Sequence, residues 1–321
     1  MAISPADTHV LLPLGEQELA DSLSSRNADM LRCLQLAEAV ASARVPVMIA
    51  GEVGTGKSLL ARFIHAKSPY RDRPCLSLGC PNLGATEVKS RLLGGMAGAT
   101  IPRRGGLLAG AAGGSLVLDG VSAMSGQGQR ELLNILRGGH DSGVDRVRLL
   151  STVGTGGGTD NSFLEELVHI LAESMIRIPP LRERREDIEP LATRALRSAS
   201  RKQRKHVRGF SQGAKDFLLN YDYPGNVREL FIIVGQAVRE SRRDTLFVED
   251  FGPVTQVAPT ACGDAQSPPP LLPLAEVEKR HINTVLLRTG WKKKAAARVL
   301  QITETMLNRK MKLYRLEREG E

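Results

Sequence analysis

The chain has 321 residues, 41% hydrophobic and 25% charged; this is room for two or three domains and excludes wholesale disorder. Its 44 Lys and Arg against 35 Asp and Glu give a net charge of +9, while no run nears the ~18 apolar residues of a membrane span and no basic-then-apolar leader opens the chain. Cys33, Cys75, Cys80 and Cys262 form no CxxC pair and meet no histidine cluster, so neither a metal site nor a disulfide framework is expected, and a reducing, cytoplasmic setting is.

Residues 1–27, with Pro5 and Pro13, read as a lead-in rather than a domain. Met30 to Ala43 has helical periodicity, with Leu31, Leu34, Ala37 and Ala41 on one side. Val45 to Ala50 is a short apolar run ending at glycine, the pattern of a strand buried on both faces. A helix is expected from Lys57 to about Lys67, strands at Ser115–Asp119 and Val147–Val153, and a helix between them over Gln127–Leu136. Strand and helix alternating in this way predict a parallel α/β sheet across residues 28–188. Residues 189–251 look helical throughout, without a convincing strand, and residues 252–273 hold so many prolines that they read as a linker.

Residues 274–321 are helical again. Leu274 to Thr289 forms one helix, closed by Gly290, and Lys293 to Leu300 a second. Gln301-Ile302 is a tight turn, and Thr303 N-caps a third helix reaching about Leu316. Ala296, Leu300, Ile302, Leu307 and Met311 would pack the short helices at an angle as a helix-turn-helix. Met306 and Trp291 are expected to pack as well, and His65, His140, His169 and His206 are assigned no chemistry. This stretch carries a surplus of cations, and Arg194–Lys215 holds eight Lys and Arg and no acid. Each cluster is open to two readings, a solvated helix face or contact with a polyanion.

Chemistry concentrates at residues 51–58, GEVGTGKS, which fill every fixed position of a phosphate-binding loop between a predicted strand and helix. Gly51, Gly54, Thr55, Gly56, Ser58 and Leu59 offer backbone amides at a helix N-terminus. Lys57 would reach the β and γ phosphates, and the Ser58 hydroxyl would hold Mg²⁺. Asp119, ending an apolar strand, is the matching carboxylate, acting on the metal through water.

GEVGTGKS, GGSLVLDG at 113–120, IPPLRERREDI at 178–188 and YPGNVREL at 223–230 stand in the order and spacing of the bacterial sigma-54-dependent activators, the enhancer-binding proteins, which the chain resembles from about residue 28 to residue 316. The resemblance implies an AAA+ P-loop domain with a parallel sheet and an α-helical lid, followed by an all-α Fis-type helix-turn-helix domain. It implies ATP or ADP with Mg²⁺ as cofactor, a ring or dimer, and RNA polymerase as partner. It places Arg228 in the lid as the residue that senses the γ-phosphate. The family's receiver domain does not fit within residues 1–27.

The departures bear on hydrolysis. Gly120 stands where the family carries the glutamate that polarises water, and glycine cannot act as a base. Gly79 and Gly154 replace two asparagines, and Leu164 and Ile170 replace the two arginines that project into a neighbour's nucleotide, a type of group worth ~10³–10⁵ in rate. The stretch from Leu93 to Gly106 is shorter than the family's sigma-gripping loop and lacks its aromatic tip.

On the third C-terminal helix, Arg309 can read guanine and Asn308 adenine, with Thr303, Glu304 and Thr305 near the base edges. Lys292, Lys293, Lys294 and Lys312 are placed at phosphates of double-stranded DNA. The expected function is a sequence-specific DNA-binding regulator with an ATP-binding module defective in hydrolysis and in sigma-54 contact. Two alternatives stand beside it: an ATP-hydrolysing sigma-54-dependent activator, working alone or with a complete partner subunit, and a P-loop enzyme acting on a small metabolite. No membrane partner is expected.

Overall fold

Residues Val47, Ile49, Cys75, Val117, Leu150 and Ile176 pack into one apolar cluster, while their neighbours Met48, Ala50, Leu76, Leu116, Leu118, Leu149 and Val153 pack into another. Alternation of this kind is what strands covered on both faces require. In the computed structural model, which describes residues 8–10, 19, 22–94, 106–139, 143–155, 164–252, 282, 293, 297 and 304–314, these residues form a six-stranded sheet. Its strands are β1 (Thr8–Val10), β2 (Val47–Gly51), β3 (Cys75–Gly79), β4 (Ser115–Asp119), β5 (Arg148–Gly154) and β6 (Ser174–Arg177), in the order β1-β3-β4-β5-β2-β6. All pairs are parallel except β1 on β3.

Helices α1 (Ala28–Ala41) and α2 (Lys57–Ala66) cover one face; α3 (Ala85–Leu93), α4 (Gly126–Arg137) and α5 (Glu165–Leu171) cover the other. Asn27 caps α1 by accepting the amides of Asp29 and Met30, and Ser125 caps α4 through Gly128. The buried residues of α1 are Met30, Cys33, Ala37 and Ala41. Leu31, expected inside, is 43% exposed: the buried stripe is rotated by a fraction of a turn, since helical spacing fixes a period but not which side meets the sheet.

The reading of residues 1–27 as a mere lead-in is corrected. Part of the segment adds β1 to the sheet edge, Leu19 and Leu23 enter the core, and Ser25 and the Arg26 amide donate to the Asp187 carboxylate.

The lid holds α6 (Ile188–Gln203), α7 (Gln212–Asn220) and α8 (Asn226–Glu240) around a separate core that runs from Leu181 to Phe251. It is not free of strands: β7 (Gly209–Phe210) and β8 (Thr245–Leu246) pair in parallel. Residues 1–260 and 261–321 form two compact units. In the second unit, α9 (Glu304–Tyr314) is a helix, and Ile282, Ala297 and Leu307 are buried. Met306, expected to pack, is half exposed. Ala296, Leu300, Ile302, Trp291, His140 and Cys262 lie outside the described residues.

Candidate functional site: a phosphate loop gripped by the lid

The loop between β2 and α2 turns through Gly54 at φ +80° and Gly56 at φ +105°. A Cβ on Gly54 would lie 2.1 Å from the carbonyl oxygen of Gly225 in the lid, so glycine is what permits that approach. Lys57 Nζ donates to the carbonyls of Gly51 and Glu52, each at 2.8 Å. Burial holds the Lys57 ammonium below the usual lysine range, with the charge of Asp119 opposing. A bound phosphate would push it back up. Thr55 is buried, and its hydroxyl donates to the Glu52 carbonyl at 2.8 Å. Leu59 packs at the edge of the core beneath the loop.

Ser58 Oγ, exposed at the start of α2, donates to Asp119 Oδ2 at 3.0 Å. The structure therefore brings together the two groups expected at the metal. A hydroxyl and a carboxylate at this spacing are hard oxygen donors that fit Mg²⁺ alongside nucleotide phosphates. Asp119 Oδ1 accepts from Thr152 at 2.5 Å, and Thr152 Oγ1 in turn accepts the Gly120 amide at 2.8 Å. Gly120 sits at φ +74°.

Arg228 lies in the first turn of α8 and is exposed; its amide donates to the Gly54 carbonyl at 3.3 Å, and its charge reaches Lys57. The residues that fasten the lid to the loop escaped sequence reasoning. Arg182 makes a two-pronged pair with Glu52 at 2.7 and 2.6 Å, which holds that carboxyl below the usual range. Asn226, fully buried, donates to Glu52 at 3.2 Å and to the Val53 carbonyl at 3.0 Å. Buried Arg184 donates to the Thr55 carbonyl at 3.0 Å. The signal was present: Arg182, Arg184 and Asn226 all belong to the two lid-side blocks quoted above.

Gly79 ends β3 directly opposite Asp119, and Gly154 ends β5. Leu164 and Ile170 pack against the α/β core at the two ends of α5. Of the stretch from Leu93 to Gly106, residues 95–105 lie outside the described residues. On α9, Glu304, Thr305 and Arg309 are exposed and Asn308 is half-buried. Lys293 is helical and exposed. Lys292, Lys294 and Thr303 lie outside the described residues, and Lys312 is described only in its helical backbone.

Three family models match in succession: Sigma-54 interaction domain over residues 23–147, AAA+ ATPase lid domain over 182–267, and Bacterial regulatory protein, Fis family over 273–314. Among curated proteins, the transcriptional regulatory protein ZraR of Escherichia coli is 34% identical over 285 residues, covering 85% of this chain and 64% of ZraR. The chain thus spans just under two thirds of that relative's length. The alginate biosynthesis transcriptional regulatory protein AlgB of Pseudomonas putida is 33% identical over 312 residues, covering 92% of this chain and 68% of AlgB. NtrX from Brucella abortus, solved in complex with ATP, superposes with a TM-score of 0.64 at 25% identity, over 94% of this chain and 70% of NtrX. With a P-loop sheet, a helical lid and a Fis-type C-terminal unit in one sequence, the chain belongs to the family of bacterial sigma-54-dependent transcriptional regulators.

Proposed function

We propose that the chain is a sequence-specific DNA-binding transcriptional regulator whose AAA+ module binds ATP or ADP with Mg²⁺ and hydrolyses ATP poorly. One observation carries this reading. Among the described residues, the carboxylates whose charge acts on Lys57 are Asp119 and Glu52, and both are engaged: Asp119 by Ser58 and Thr152, Glu52 by Arg182 and Asn226. Gly120 brings no side chain. The amides of Gly51–Leu59 and the Lys57 ammonium would bind the phosphates, with Arg228 on the lid side. Ser58 and Asp119 would hold Mg²⁺, which neutralises phosphate charge when bound. NtrX with ATP supports a nucleotide in this fold. Double-stranded DNA, RNA polymerase and further copies of the chain are the partners of this reading.

The match to the sigma-54 interaction domain favours a second reading, an ATP-driven activator completed by a partner subunit. It needs the partner to supply a water-polarising group that Gly120 lacks in cis. Phosphate release by the pure chain with Mg-ATP and duplex DNA separates the two. Turnover far below ordinary AAA+ rates is expected, and ordinary rates would overturn the first reading. Lys57→Ala is expected to weaken ATP binding by about tenfold or more, read by calorimetry.

A further inference from the structure

The C-terminal ends of α6 and α8 meet at one end of the lid. Lys205 bridges them, donating to the carbonyls of Val238, Arg239 and Ser241 at 2.9, 2.5 and 2.8 Å. Gln203 donates to the Gly235 carbonyl at 2.9 Å. Lys205 therefore already satisfies the Val238 and Arg239 carbonyls near the end of α8 and that of the cap residue Ser241, and the other cations nearby are not needed there. Those cations are Arg201, Lys202, Arg204, Arg208, Arg239 and Arg242. All six are exposed, and among the described residues none has an acid within ion-pair distance. Arg242 and Arg243 line a cleft of about 370 Å³ together with Lys205, His206 and Asp244. Glu240 and Asp244 are the exposed acids of these segments, too few to neutralise them.

Arg204 adds a second kind of observation. It occupies the position after α6 at φ +53°, ψ +39°, the left-handed conformation that helix ends usually give to glycine or asparagine. A long cation has been placed where local backbone chemistry disfavours any Cβ. Departures from local preference of this sort collect at functional positions.

We propose that this cationic end of the lid is a second contact surface for the phosphate backbone of duplex DNA, apart from the C-terminal helix-turn-helix. The inference rests on the reading of the chain as a DNA-binding regulator, and DNA is the polyanion that a Fis-type unit in the same chain brings near. Such a surface adds affinity and salt dependence without adding sequence preference.

The test uses the full chain and a 40-bp duplex of mixed sequence, titrated by fluorescence anisotropy at several NaCl concentrations. In the double variant Arg204→Gly, Arg242→Gln, the plot of log affinity against log salt becomes shallower by about 0.9 for each phosphate that the variant leaves unneutralised. Affinity at low salt drops by about tenfold. Because glycine fits the conformation of residue 204, the melting midpoint stays equal to that of the parent or rises. Unchanged slope and affinity would overturn the proposal. If the parent binds no duplex, the regulator reading fails and this inference with it. If the parent binds, and Arg309→Ala weakens binding while the lid variant does not, this inference alone fails. Loss of binding to phosphatidylserine vesicles with duplex binding unchanged would assign the surface to a membrane and overturn it as well.

Discussion

Thr152 illustrates how much one hydroxyl settles. It donates to Asp119 and accepts from the Gly120 amide, so a single side chain orients the metal-side carboxylate and fixes the backbone where the family keeps its water-polarising group. Valine has the same shape and neither bond. Thr152→Val is expected to cost about 1–3 kcal/mol of stability, because the half-buried Gly120 amide and the Asp119 carboxylate each lose a partner. It is also expected to weaken ATP binding in Mg²⁺ more than in EDTA. An equal effect in both buffers would show that Thr152 serves packing alone. His65 acts on stability at the same scale. It is buried against Ser115 Oγ at 2.9 Å, and burial holds its pKa below 6.5. Below about pH 6.5 the unfolded chain binds a proton that the folded chain resists, so stability falls as pH drops from 7 to 5. Urea titrations of His65→Gln are expected to show a flatter dependence across that window.

Arg148 shows the corresponding effect on an element. Its guanidinium is 1% exposed and donates to the carbonyls of Ala41 and Val40, at 2.8 and 2.5 Å. In this way β5 closes the C-terminal end of α1, where helix carbonyls have no partner of their own. Arg148→Met is expected to lower unfolding stability by about 2–3 kcal/mol, measured in urea. β2 and β4 were legible because each holds a short apolar run that ends at glycine or aspartate. The loop itself was legible because its spacing admits few other uses. β1 was not: three residues with a threonine and a histidine carry no strand pattern, and only the open edge of β3 gives them a place. The same holds for β6, whose serine and arginine ends hide a buried Ile176. The clamp was hidden for another reason. Glu52 lies 130 residues from Arg182 and 174 from Asn226, and no local periodicity links positions so far apart.

The molecule falls into two compact units, one ending at residue 260 and one starting at 261, and on the proposed reading variants should separate along the same line. Arg309→Ala, on the exposed side of α9, is expected to remove about 1–3 kcal/mol of discrimination between the preferred site and a scrambled duplex. Nucleotide affinity should be untouched, and equal loss on both duplexes would place Arg309 at phosphate alone. The antiparallel strand β1 has a consequence of its own. It is the last strand on its side of the sheet, and it pairs Thr8, His9 and Val10 with Leu78, Ser77 and Leu76. Trimming the chain to start at residue 24 would strip that cover and remove Leu19 and Leu23 from the interior. The bared rim of β3 could then recruit strands from other molecules. Shortened preparations should cloud on warming at temperatures where the full chain stays clear by light scattering.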